Sequence, residues 1–264
     1  LKTYSTAQIA ALIGVHPNTV RFYEEMELIP TVPRAKNGYR VFDDRHLAQL
    51  RLLRAAFRAE IISDRLRREA YEIVKTAAAG DAGEAYRRAE QYREHLREEQ
   101  AKAEEAILIA QNILGDIGTP DEPPVFSGRH DTAGALGVTV DVLRDWERNG
   151  LIRVPKASGG RRQYRPGEMN RLKIIGILRN AHYSMMSILR MLNRLDQGDM
   201  NIREAIDTPG EEEDIVRAAD RYISALAMAE QDASEMVDML RKGPGRARMR
   251  ARACEPGGPE KHCK

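Results

Sequence analysis

Between residues 16 and 40 stand side chains suited to binding a polyanion whose edges present patterned donors and acceptors. His16, Asn18, Thr19 and Arg21 fall within six positions. Arginine can pair with guanine and asparagine with adenine in the major groove of a DNA duplex. Tyr23, Arg34, Lys36, Tyr39 and Arg40 follow, and their charges and hydroxyls suit phosphate oxygens, which fix register rather than sequence. A second set comprises Thr139, Arg144, Trp146, Lys156, Arg161, Arg162, Tyr164 and Arg165. Asp141 and Asp145 depart from this chemistry, because a carboxylate repels phosphate, although it can accept from cytosine N4. Tyr23 and Trp146 are equally suited to packing a small core. Arg21 and Arg144 are three residues from Glu24 and Glu147, within reach of a helical ion pair.

Other chemistries find little to work with. Gly243-Pro-Gly-Arg lacks the Gly-Lys-Ser/Thr ending of a phosphate loop, and the six histidines are scattered without metalloprotease or triad spacing. No enzyme and no resident cofactor is expected. Cys254, His262 and Cys263 offer two thiols and an imidazole that suit a thiophilic metal. The intervening Glu-Pro-Gly-Gly-Pro and the absence of a third cysteine favour incidental thiols in a basic tail. A small-molecule pocket near Tyr71, Tyr86 and Tyr92, or near Tyr183, Met185 and Met186, is a further possibility, set against the usual role of such stripes as core. Two late cysteines give no disulfide framework. No membrane span or signal peptide is visible, which makes a cytoplasmic, nucleoid-associated protein the expectation. Leu1 in place of an initiator Met suggests a trimmed start.

These side chains sit in an internal repeat. Residues 12–29 and 135–152 align at an offset of 123, pairing Gly14 with Gly137, Val15 with Val138, Arg21 with Arg144, Glu24 with Glu147, Leu28-Ile29 with Leu151-Ile152, and Tyr23 with Trp146. Beyond a two-residue insertion, an offset of 125 aligns Tyr39-Arg40 with Tyr164-Arg165, Leu47 with Leu172, and Leu53-Arg54 with Leu178-Arg179. At an offset of 130, Arg87, Ala89, Tyr92 and Leu96 match Arg217, Ala219, Tyr222 and Leu226. The chain is one module written twice.

In each module a compact part must position the polar set. Ser5 or Thr6 caps a short helix bearing Ile9, Leu12 and Ile13, and Gly14 supplies the turn. A second helix starts near Pro17, where a missing N–H costs nothing, and runs to about Glu25. Two short helices across such a turn form a helix-turn-helix, whose second helix enters the major groove. Asn37-Gly38 within a basic stretch signals a hairpin wing, and an apolar helix through Leu47, Leu50 and Leu53 follows.

Thr19-Val-Arg-Phe-Tyr-Glu with Leu28-Ile29, then Asn37-Gly-Tyr-Arg-Val-Phe and the Leu47/Leu50 helix, closely resembles the winged helix-turn-helix domain of the MerR family of transcription regulators. The second copy resembles it more loosely through Leu143-Arg-Asp-Trp-Glu, Gly150-Leu-Ile and Tyr164-Arg. The resemblance implies binding to promoter DNA with distortion of the spacer, work alongside RNA polymerase, and often a small-molecule or metal effector. Family members usually carry one such domain and a long helix that pairs in a homodimer, whereas this chain carries two. An architectural, nucleoid-type DNA binder without a dedicated promoter is the alternative.

Small or apolar residues at 85, 89, 92, 96, 103, 106, 110 and 113 alternate by four and three, broken only by Glu99. Ile215, Ala219, Tyr222, Leu226, Ala229, Ala233, Met236 and Leu240 repeat the alternation without a break. This is a coiled-coil seam. The expected fold is mainly α: a winged domain at 1–80, a coiled-coil helix at 81–115 and a linker at 116–128, then a second winged domain at 129–200, a second coiled-coil helix at 211–242 and a basic, disordered tail at 243–264. Antiparallel pairing within one chain makes a monomeric pseudodimer that presents two readers; pairing between chains is the alternative. Two-fold readers need recognition helices roughly 34–36 Å apart.

The charge supports this division. The net +2 hides +3 over residues 1–62, where nine Lys/Arg stand against six Asp/Glu, and +7 over 129–198, where thirteen stand against six. The tail 241–264 adds +6, and the remainder, chiefly the long helices, is −14. Basic readers on an acidic scaffold suit phosphate attraction with orientation.

Overall fold

The computed structural model describes residues 2–58, 64–115, 125–156, 160, 162–198, 201–207 and 221–246. It forms two compact units, residues 1–96 with 228–264 and residues 97–227. Among the described residues no helix is long and apolar enough to cross a membrane.

In the first unit β1 (Thr3–Tyr4) leads into α1 (Thr6–Ile13) and α2 (Pro17–Glu25). Ser5 caps α1 in a reciprocal box: its hydroxyl accepts from the Gln8 N–H, and the Gln8 side chain accepts from the Ser5 N–H. Gly14 ends the helix at φ +69°, a left-handed conformation that glycine adopts without a Cβ clash. Pro17 opens α2 behind His16, whose Nδ1 accepts from the Asn18 N–H at 3.2 Å. The chain then turns through the wing, closed by a bridge between Arg34 and Arg40, with Gly38 at φ +81° in the turn. It returns as β2 (Phe42–Asp43), antiparallel to β1, with Tyr4 opposite Phe42.

Next come α3 (Asp44–Ala56) and α4 (Asp64–Ala78). Ile9, Val20, Phe42 and Leu50 are fully enclosed at the centre of the core, and Tyr23 packs against its edge. Gln49 is buried and donates to the carbonyls of Leu28 (3.0 Å) and Val74 (2.8 Å), strapping α3 to the end of the helix-turn-helix and to α4.

The second unit repeats this order. β3 (Phe126–Ser127), α6 (Arg129–Leu136), α7 (Val140–Arg148), β4 (Gln163–Tyr164) and α8 (Pro166–Asn180) correspond to β1 through α3. Phe126 stands opposite Tyr164, and Lys156 bridges Arg162. Then follow α9 (Met185–Asp196) and the short α10 (Ile202–Asp207).

The second wing corrects the register read from sequence. Helices α6 and α7 follow α1 and α2 at the expected offset of 123, but the wing and α8 follow at 122. Lys156 stands where Arg34 does, Arg162 where Arg40 does, and Tyr164 where Phe42 does. The Val41 N–H donates to the Pro33 carbonyl, and the Gln163 N–H donates to the Pro155 carbonyl, at the same spacing. Leu50 therefore matches Leu172, both fully buried, instead of Leu47 matching it. One residue is missing before the second wing, and no two-residue insertion exists. Arg171 replaces Gln49 and makes the equivalent strap, donating from Nε to the Leu151 carbonyl at 3.0 Å.

Helix α5 (Ala82–Gly115) and helix α11 (Tyr222–Arg246) each contribute to both units. Seven of the eight positions expected on the first seam, 85, 89, 92, 96, 103, 106 and 110, are buried. So are Tyr222, Leu226, Ala229, Ala233 and Met236 of the second, whereas Ile215 and Ala219 lie outside the described residues. In the first unit Arg58 pairs with Asp232 (2.8 Å) and Glu235 (3.0 Å) of α11. In the second, the Tyr183 hydroxyl donates to the Ala103 carbonyl of α5 at 3.1 Å, and the Tyr222 hydroxyl donates to Glu99 at 3.5 Å.

Candidate nucleic-acid interface

Helix α2 exposes one polar edge. Val20 is fully buried, which turns Asn18 and Arg21 outward, and the Arg21 guanidinium donates to the side-chain Oδ1 of Asn18 at 3.1 Å. His16 is exposed as well, but its Nδ1 serves as the helix cap, leaving Nε2 for an outside partner. Thr19 is half-buried. In the second unit Leu143 and Trp146 are the buried face of α7, and Asp141 and Arg144 take the outward edge. The Arg144 guanidinium donates to Asp141 at 2.6 Å. Thr139 is a cap, accepting from the Val142 N–H at 3.3 Å.

The sequence left Arg21 and Arg144 a choice of partner, and neither arginine turns to the glutamate three residues on. Glu24 instead forms a tight ion pair with Arg40, joining α2 to the wing. Glu147 does the same work with more partners: Arg129 at 2.6 Å, Arg162 at 2.9 Å and the Tyr164 hydroxyl at 3.0 Å. Burial alone would raise the Glu147 carboxyl. Hydrogen bonds from Arg129 and Tyr164, with the charges of Arg129 and Arg162, outweigh it and hold the carboxyl below its ordinary value. Burial, followed by the hydrogen bond to Glu147, pushes the Tyr164 phenol up to about 12, against the opposing charges of Arg129 and Arg162. Arg40 and Arg162 are thus engaged in holding the wing against the recognition helix.

The tip of the first wing is open. Arg34, Lys36 and Tyr39 are exposed, Tyr39 by 74%. Lys156 and Arg165 are exposed in the second unit, and Arg161 lies outside the described residues.

Two expected DNA contacts lie inside. Tyr164 is fully buried because it occupies the strand position of Phe42, and only its hydroxyl is polar, already given to Glu147. Trp146 is 4% exposed; an ideal Cβ on Gly176 would meet its ring at 3.7 Å, so the indole lies over the backbone of α8. Tyr23 is half-buried against its own core.

Sequence reasoning missed Arg129, which completes the clamp on Glu147, and the exposed Arg148 and Arg153, which extend the basic surface of the second unit alone. Their counterparts at the 123 offset are Glu25 and Pro30. Strict comparison of the repeats would have shown that gain of charge. Of the stripes considered for a small-molecule pocket, Tyr92 and Tyr183 are buried, whereas Met186 is 48% exposed. Among the described residues no group of three or more His, Cys, Asp or Glu side chains could hold a metal ion. Cys254, His262 and Cys263 lie outside them.

Two sequence models of one family match where the two winged domains lie. One, described as MerR family regulatory protein, covers residues 5–42; the other, described as MerR HTH family regulatory protein, covers residues 130–195. The chain carries two MerR-family domains. Among curated relatives, the HTH-type transcriptional regulator CueR of Escherichia coli is 40% identical over 50 residues, 19% of this chain and 37% of that protein. The HTH-type transcriptional regulator ZntR homolog of Haemophilus influenzae is 35% identical over 96 residues, 36% of this chain and 64% of that protein. The chain thus spans less than two thirds of either relative's length. No solved structure matches. The MerR-family domains here occur in tandem, and the relatives' likeness covers a small part of the whole.

Proposed function

We propose that this protein is a sequence-specific, DNA-binding transcription regulator that engages promoter DNA as a single-chain pseudodimer. It places α2 and α7 in successive major grooves and distorts the spacer between the half-sites, in the bacterial cytoplasm at the nucleoid and alongside RNA polymerase. The observation that carries the reading is the duplication itself: two MerR-family domains, each with an outward arginine on its recognition helix and cations on its wing. The relatives bearing such a domain are described as transcriptional regulators.

Antiparallel pairing of α5 with α11 within one chain supplies the second half of the proposal. Its support lies in each unit separately. In the first, burial and then the charges of Glu69 and Asp232 raise the Tyr92 phenol well above its ordinary range, which sets α11 close to the early part of α5. In the second, Tyr222 at the start of α11 meets Glu99 of α5. Buried residues recur along both helices at coiled-coil spacing.

Footprinting on genomic promoter fragments tests the function. The expected result is one protected spacer flanked by two half-sites; coverage without a preferred position would overturn it in favour of an architectural binder.

A further inference from the structure

Near the tips of the two recognition helices one arrangement recurs, a side chain bonded to the arginine three residues on, and it carries an amide in the first helix and a carboxylate in the second. Asn18 and Asp141 occupy equivalent positions, each exposed on the first turn of its helix, and each accepts from the arginine three residues on. That bond uses one side-chain oxygen and holds the group in place against a partly immobilised guanidinium. In the first helix the remaining group is an amide NH2, a donor; in the second it is a carboxylate oxygen, which only accepts. Adenine presents the N6 donor beside the N7 acceptor and so matches an amide in two bonds, whereas its N7 would face a carboxylate acceptor to acceptor. Cytosine presents the N4 donor alone and matches the carboxylate.

On the reading that α2 and α7 enter major grooves, we propose that Asn18 and Asp141 are specificity-determining residues that make the operator asymmetric at one equivalent base pair. The Asn18 half-site takes adenine there and the Asp141 half-site takes cytosine. A regulator made of two identical chains reads both half-sites alike, but a tandem chain is free to diverge in this way, and an operator with unlike half-sites gives the bound protein a single direction along the promoter.

The test exchanges the two groups. The full chain and the variants N18D, D141N and N18D/D141N are used to select bound duplexes from a random library. Each selected site is then measured with adenine or cytosine at the position in question, at one salt concentration. The substitutions are isosteric, exposed and keep the oxygen that holds the arginine, and thermal melting confirms that each variant folds. The expected wild-type site has adenine in one half and cytosine in the other, each preferred by about 5- to 100-fold. D141N should select adenine in both halves and N18D cytosine in both, and the double variant should exchange the two letters relative to the other base pairs of each half-site. An added carboxylate weakens binding to every duplex alike, so the adenine-to-cytosine ratio isolates base reading from charge. Specific wild-type binding with the same letters selected by all four proteins would overturn this inference and leave the regulator reading intact. Absence of any selected site for the wild type would overturn both.

Discussion

In the first winged domain the recognition helix presents an amide beside Arg21 and leans on its wing through one pair, Glu24 with Arg40. In the second, the equivalent helix presents a carboxylate beside Arg144 and is clamped through Glu147 by two arginines and a tyrosine. A glutamine strap in one is an arginine strap in the other, on the carbonyl of the equivalent leucine. Asp43 caps α3 where Arg165 precedes α8. The positions that hold helix, wing and following helix together kept their function while changing their residue. The outward positions changed the hydrogen-bonding groups they present. Duplication within one chain permits this, because neither copy is obliged to remain the image of the other.

The clamp on Glu147 should give the largest difference between the domains. Glu147→Ala leaves two partly buried guanidinium groups and a buried phenol without their shared acceptor, a loss of about 3 kcal/mol. Glu24→Ala strands one arginine, and about 1 kcal/mol is expected. Trp146 is the sole tryptophan and lies in the second core, so its fluorescence during urea unfolding reports the second domain. Equal losses in the two domains would show that the additional partners contribute nothing.

Acid should act on the two domains through different groups. Burial raises the Asp43 carboxyl, but hydrogen bonds from Arg45 and from the His46 backbone and side chain bring it from 3.8 to about 2. Such a carboxylate contributes stability that is complete above pH 4 and is lost as the pH falls through about 2, on the order of 2 kcal/mol. Asp43→Asn should remove that loss from the first domain and leave the Trp146 signal's acid response in place. Glu147, also held below its ordinary value of 4.5, carries the acid response of the second. Glu147→Gln should flatten the second response without altering the first. Hydrogen exchange of α3 and α8 at pH 5 and 2.5 separates the two.

On DNA, loss of a wing cation should weaken binding to every sequence to a similar degree. Removing Lys36 or Lys156 should each lower the slope of log affinity against log salt by about 1. A titration over salt concentration in which only one of them changes the slope would leave one wing off the duplex. The smallest effect is at Gly176: alanine there meets Trp146 at an ordinary contact distance and should raise the second domain's stability by up to about 1 kcal/mol through helix propensity. A fall in the urea midpoint would mean that the indole cannot give way.

Much of the skeleton was legible because each element carries its own local signal. Ser5 or Thr6 marks a helix start, and Ser5 is the one that caps; Gly14 marks a helix end, Pro17 a second start and Asn37-Gly38 a wing, and all act as their chemistry demands. The buried stripes of α5 and α11 follow from their four-three spacing. The second wing misled because the dipeptide Tyr164-Arg165 imitates Tyr39-Arg40. Its register is set by which side chain fills the core opposite Phe126, and there a tyrosine replaces a phenylalanine and needs a partner for its hydroxyl. The pairing of Glu24 and Glu147 was hidden for a related reason. Their partners lie 16 and 15 residues away in sequence across the wing, whereas the candidates visible from helical spacing were three residues off. The outward edges of α2 and α7 were legible as a set, but not the caps made by His16 and Thr139, which depend on backbone geometry at the helix start.

The mass of the protein–DNA complex tests the central claim most directly. One duplex carrying a single selected operator, saturated with protein and measured by sedimentation or native mass spectrometry, should hold one chain of 29.8 kDa, with both recognition helices protected from hydrogen exchange. Two chains on that duplex, with α2 protected and α7 unprotected in each, would contradict a single-chain pseudodimer and return the protein to a dimer that reads with one copy.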